Sequence, residues 1–227
     1  MYKLLTKTSE KWEGKATSDL YKLNQHCMFI TDNEYGLPVV ESSDFTPTAL
    51  IPFHLSKKML KGDKDKTVHF FLDDYKFECV WSKPHRYLDI LKYYGSVISP
   101  TFSIYDNQPF AMNLWNMYRS RWLTRYWQEH GIDVIVDVRW GSEETYDICF
   151  SGIKKGSKVI VNTVGTKYLD NRSIFRLGFD EMIKRIQPSE LFVYGEYIPV
   201  KFEDYVEKVH YFPSFWAEKR KKLNKEE

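Results

Sequence analysis

The chain reads as an α/β protein with a mainly parallel sheet, barrel-like in the (β/α) sense and incomplete or irregular in outline. An open doubly wound parallel sheet is the alternative. Three observations lead there. Short apolar runs rich in Val, Ile and Phe recur without polar alternation, as in strands covered on both faces. Helical patterns lie between several of them, and the connections are short enough for right-handed βαβ units. About eight strand candidates fall within 227 residues, which suits a barrel.

The strand candidates are Cys27–Ile30, Ala49–Phe53, Val68–Leu72, Val97–Ser99, Val134–Val138, Val159–Val161, Leu191–Tyr194 and Val209–Phe212. Three helices are expected. Arg86–Tyr94 follows Pro84 and stops at Gly95, a C-cap signal. Pro109–His130 opens on a proline with no amide hydrogen to leave unpaired, and Gly131 closes it. Asn171–Gln187 has Asp170 as its expected N-cap and Pro188 beyond its end. Within it Phe175, Phe179, Met182, Ile183 and Ile186 share one face. Residues 1–26 carry alternating charges and little periodicity, so a loosely packed N-terminal segment is expected, then one domain over 27–216. Residues 217–227 are basic, and a solvated, frayed tail is expected in preference to a nucleic-acid arm.

Composition narrows the classes. With 17% aromatic and 43% hydrophobic residues, the chain has ample material for a packed core and is not a disordered type. Its net charge of +2 excludes a whole-surface nucleic-acid binder but leaves room for a local basic patch. Cys27, Cys79 and Cys149 are scattered and odd in number, as expected of a reducing compartment. There is no signal-peptide core and no apolar run of bilayer length, so the expected location is cytoplasmic with no membrane partner. Asn171-Arg172-Ser173 fits a glycosylation pattern by chance.

One stretch carries a resemblance. It contains His69-Phe70-Phe71-Leu72-Asp73-Asp74, Ser99-Pro100-Thr101-Phe102-Ser103 and Asn116-Met117-Tyr118-Arg119-Ser120-Arg121. Val138-Arg139-Trp140-Gly141, Phe150-Ser151-Gly152-Ile153, Asn162-Thr163-Val164-Gly165 and Val193-Tyr194-Gly195 follow in order. Together these resemble domain-of-unknown-function family 4417, found in bacteriophages, plasmids and integrative elements of low-GC Gram-positive bacteria. The resemblance implies a mobile-element setting and no particular activity. The chain departs from the family pattern at Asn107-Gln108-Pro109, where Asp-Met-Pro is common, and at Ser151, where Asp is common. Thr124 stands where Gly is common. Two missing carboxylates weaken a metal-dependent hydrolase reading.

In parallel α/β folds function gathers where strands end, so residues just past each apolar run are the candidates. Arg139 could hold a phosphate or carboxylate with its planar fork while Trp140 stacks on a base; the alternative is an internal pair with Asp137 or Asp147 beneath a packed indole. Arg119 and Arg121 on the long helix could assist, as could Ser103, Asn107, the Thr163–Gly165 turn and Tyr194. A solvated stripe is the alternative for Arg119, Arg121 and Arg125. Asp73 and Asp74, with Asp106, are candidate catalytic acids; the sequence fixes no cofactor, and Mg²⁺ is what such acids would suit. His26, His54, His69, His85, His130 and His210 lack metal-ligand spacing, no nucleophile elbow is present, and Cys149 reads as core. The leading expectation is binding of a phosphate-bearing small molecule or nucleic-acid strand at the strand ends. A counter-defence or sequestering protein acting on a host signal or host protein is the second reading. A DNA replication or processing accessory is the third.

Overall fold

The computed structural model describes residues 29–226. Seven strands form one parallel sheet: β1 (Leu50–Pro52), β2 (Thr67–His69), β3 (Ser96–Ile98), β4 (Val134–Asp137), β5 (Lys158–Asn162), β6 (Glu190–Tyr194) and β7 (Val209–Phe212). Their order in the sheet is their order in the chain. A doubly wound sheet needs a reversal of strand order, and there is none. Right-handed crossovers without a reversal put every connecting helix on the same face, and the sheet curls into a half-barrel. The partner pairs run straight along adjacent strands, as in Val159↔Leu191 and Leu191↔Val209.

The connecting helices are α1 (Phe53–Ser56), α2 (Glu78–Ser82), α3 (Leu88–Lys92), α4 (Phe110–Glu129), α5 (Tyr146–Phe150) and α6 (Leu169–Ile186). A final helix, α7 (Phe215–Glu226), follows β7. The period-2 geometry of a strand sorts its side chains between two cores. Val68, Val97, Val134, Val136, Val159, Val161, Leu191 and Val193 face the helices in two outer clusters. Ile98, Ile135, Ile160, Phe192, Tyr194 and Phe212 face inward with Leu50 and Phe71. Both faces are therefore buried, which explains the unbroken apolar runs in the sequence.

Five of the expected strands match to within one residue, β2 starts one residue early and stops three short of Leu72, and β7 has the expected bounds. The Cys27–Ile30 run forms no strand in its described part: Phe29 packs on Trp122 at 5.6 Å between ring centroids, and Thr31 bridges antiparallel to Pro38. Cys27 itself and residues 1–26 lie outside the described residues.

The helices differ in detail. The segment expected as one helix over Arg86–Tyr94 is a 3-10 turn, Pro84–Tyr87, running into α3. Gly95 is not its left-handed cap; a Cβ there would come within 3.0 Å of the Phe45 ring, so close approach is what requires glycine. Gly131 does close α4, at φ +75°. α6 begins before Asp170 with Tyr168 at the cap position, and ends on Gln187 in the left-handed region at φ 50°. The tail expected to fray carries α7, which begins by burying Ala217.

Candidate functional site

The strand ends hold three groups of predicted residues. At the ends of β2 and β3, Asp74 accepts hydrogen bonds from the Ser103 amide at 3.0 Å and its hydroxyl at 2.9 Å. Asn116 donates to the Ser103 carbonyl at 2.7 Å and accepts from Arg119 at 2.5 Å. Arg119 pairs with Glu78 at 2.7 Å and lies 3.9 Å from the centre of the Phe102 ring. Asp74 and Ser103 are thus bonded to each other, and Asn116 links Ser103 to Arg119. Asp73 points away and pairs with Lys76 at 2.7 Å. Asn107 is exposed in the turn before α4, and its neighbour Asp106 accepts the Ser142 amide.

At the end of β4, Arg139 pairs with Asp137 at 2.6 Å and donates to the Pro100 carbonyl at 3.0 Å. This is the internal pair weighed against ligand contact. Residues 137 and 139 alternate onto the same face of the extended chain, so their heads meet. Burial pushes the Asp137 carboxyl up to about 6, while Arg139 and Arg121 pull it back down. The ion-pair geometry is that of a carboxylate, and at neutral pH Asp137 is one.

Arg121 is fully buried, donating to the carbonyls of Cys149 at 2.6 Å and Ser151 at 3.2 Å, where it caps the end of α5. Burial lowers its pKa to about 10 and raises the Cys149 thiol to about 11. Arg125, four residues on, is at the surface and pairs with Glu41 at 2.8 Å and with Glu129. The alternative of a solvated stripe over Arg119, Arg121 and Arg125 does not hold: Arg119 and Arg121 are buried, and Arg125 is half-buried in its ion pairs. Trp140 donates to the Ile174 carbonyl at 3.2 Å and packs against Phe175 at 5.2 Å. A Cβ at Gly178 would overlap the indole, so that glycine in α6 makes its seat. The Arg139 fork and the Trp140 ring are both half-buried and already hold internal partners.

The ends of β5 and β6 are different. Asn162 accepts the Val164 amide at 2.8 Å, and Thr166 donates to the Thr163 carbonyl at 2.7 Å, which folds the turn. Gly165 sits in it at φ +89°. The buried Thr163 and the β6 chain are held together by the Thr163 amide, which donates to Tyr194 at 2.8 Å. Tyr194 turns inward, stacked on Phe71 at 4.3 Å. Just past the turn, the Lys167 ammonium lies 5.2 Å from the Tyr168 ring centre, and Arg172 lies 5.1 Å from that of Tyr197. Lys167, Tyr168 and Arg172 are exposed. They surround the N-terminus of α6, where the cap residue Tyr168 supplies no side-chain acceptor. Unbonded first-turn amides and the helix dipole attract anions.

The sequence reading stopped at Gly165 and did not include Lys167, Tyr168, Arg172 or Tyr197. The signal available was a cation beside an aromatic, directly after a glycine turn and before a helix. Among the described residues, no group of three or more His, Cys, Asp or Glu side chains is placed to hold a metal ion. No described helix is long and apolar enough to cross a membrane.

Comparison with known proteins places these features in a family. The model of the family described as Domain of unknown function (DUF4417) matches residues 29–212, from the first described residue to the end of β7. The chain is 37% identical to the Gene 1 protein of Mycobacterium phage L5, over 95% of this chain and 94% of the phage protein. It is 34% identical to the Gene 1 protein of Mycobacterium phage D29, over 89% of this chain and 75% of that protein. No solved structure matches.

Proposed function

The chain belongs to the family described as Domain of unknown function (DUF4417), and we propose that it binds a phosphate-bearing ligand at the strand ends, at the start of α6. The observation that carries this is the pair of cation–aromatic contacts, Lys167 with Tyr168 and Arg172 with Tyr197, around an uncapped helix N-terminus. Cations and helix N-terminal amides supply phosphate contacts, and the exposed Tyr168 ring supplies a stacking face. The Thr163–Gly165 turn contributes the backbone that opens the helix. Arg139, Trp140, Arg119 and Arg121 support the scaffold behind it. The surface is open, which favours a nucleic-acid strand over an enclosed mononucleotide. Phage relatives are the natural setting for such a ligand.

Fluorescence anisotropy of a labelled single-stranded oligonucleotide, at 50 and 200 mM salt, tests the reading. Each phosphate contact on a single strand adds about 0.7 to the slope of log affinity against log salt. The double substitution Lys167→Ala, Arg172→Ala should therefore lower that slope by about 1.4 and weaken binding. Binding that is absent, or unchanged in the double variant, refutes the proposal. The host-protein reading draws on the exposed Tyr105, Phe110 and Met112 beside the start of α4, and absent oligonucleotide binding would turn attention there.

A further inference from the structure

The half-barrel is open between its edge strands, and a cavity of about 180 Å³ lies at that seam. Strands β1, β2, β6 and β7 wall it through Leu50, His69, Tyr194 and Phe212, and α7 covers it with Phe215 and Glu218. Two of the wall residues are polar and aimed inward. His69 is 1% exposed and neutral, because burial drives its pKa down to about 3. Its Nδ1 accepts the Phe71 amide at 3.2 Å, so the ring proton is assigned to Nε2. Nε2 has no hydrogen-bond partner among the described residues. Tyr194 accepts the Phe215 amide at 2.9 Å through its hydroxyl oxygen and keeps its own proton to give. Burial pushes that phenol up to about 12, so the proton stays on. At the rim, the exposed Glu218 carboxylate offers an acceptor.

We propose that this seam is a second binding site, for a small planar heteroaromatic ring of nucleobase size. A cavity of about 150 Å³ in another protein takes up benzene, so about 180 Å³ suits a ring of roughly six to ten heavy atoms. Two inward donors, His69 Nε2–H and Tyr194 O–H, call for acceptors on the buried edge of the ring. Glu218, at the rim, calls for an amino group beside those acceptors. Phe212 and Phe215 provide flat apolar walls. A ligand that displaces water from these donors without an acceptor of its own loses their hydrogen bonds, which gives the polar edge its selectivity. The site is independent of the α6 surface proposed above.

Free cytosine offers a ring nitrogen, N3, and a carbonyl, O2, side by side as acceptors, with its 4-amino group next to N3, and it is the probe. Titration into the full chain, followed by the ¹⁵N signal of His69 Nε2, should give a saturable shift. Glu218→Gln should weaken binding by about tenfold, the scale of one charge-assisted hydrogen bond. Ala49→Leu, which fills the cavity, and Thr48→Trp, which blocks its mouth from an exposed position, should each abolish the shift. Thr48→Trp keeps the test valid if the filled variant does not fold. No shift at the solubility limit of cytosine overturns the proposal. So does a shift that survives both substitutions, or binding of benzene with none of cytosine.

Discussion

The His69 ring gives a pH dependence whose size follows from its burial. An unfolded chain holds this imidazole at about 6.5, whereas desolvation in the half-barrel drives it to about 3. Above pH 6.5 the ring is neutral in both states and contributes no pH dependence. As pH falls below 6.5 the unfolded chain takes up a proton that the folded one cannot, so stability drops steadily until about pH 3. At pH 5.0 the loss relative to pH 7.5 is about 2 kcal/mol, approaching 4–5 kcal/mol at the lower end. The neighbouring His54, once it takes up a proton, adds to the effect.

The assay is urea denaturation at pH 7.5 and 5.0 for the wild type and for His69→Gln, which cannot titrate. The cost of the substitution itself is present at both pH values and cancels in the difference. The wild type should lose about 2 kcal/mol more than the variant, or about 4–8 °C in melting temperature for a chain of this size. Equal losses in the two proteins would mean that the ring reaches water and protonates in place. The seam would then be an open cleft with no dry wall at His69.

Three further outcomes test the packing behind the strand ends. Gly178→Ala gains about 1 kcal/mol of helix propensity but drives a methyl into Trp140. A net loss of about 1 kcal/mol, with a changed near-UV circular dichroism signal, is expected. Arg121→Met leaves the Cys149 and Ser151 carbonyls without their donor and should cost about 2–4 kcal/mol in urea denaturation. Arg119→Lys keeps the charge toward Glu78 but loses the fork to Asn116 and the flat contact on Phe102. A loss of about 1 kcal/mol in the same assay is expected.

The strands were legible because burial on both faces leaves a mark that needs no partner to interpret. Val159, Ile160 and Val161 are apolar whichever way they point, since one face meets the helices and the other the half-barrel interior. The apolar face of α6 was legible for a related reason: Phe175, Phe179, Met182 and Ile186 all reach the same outer core. The four- and five-residue helices α1, α2 and α5 were not, because one turn is too short to display a period. Nor could the sequence distinguish the Cys27–Ile30 run from a strand, since an isolated apolar run has the same composition as a packed loop.

For the site, position was legible and orientation was not. A residue at or just past a strand's end lies at the functional end of the fold, as do Arg139, Thr163 and Tyr194, the last residue of β6. Where its side chain goes depends on what stands two residues away and across the sheet. Asp137 shares the face of Arg139 and takes its fork. Phe71, on β2's extension, takes the ring of Tyr194 across the interior. Trp140 finds its seat only because α6 has glycine at 178, a pairing that no spacing within either segment announces. Lys167 and Arg172 differ from these in one respect: Lys167 rests on the exposed ring of Tyr168 and Arg172 on the half-buried ring of Tyr197. A cation held by an aromatic face retains most of its hydrogen-bonding capacity, whereas one held by a carboxylate spends it. That difference is why we propose the anion contact at the start of α6 and not at the end of β4.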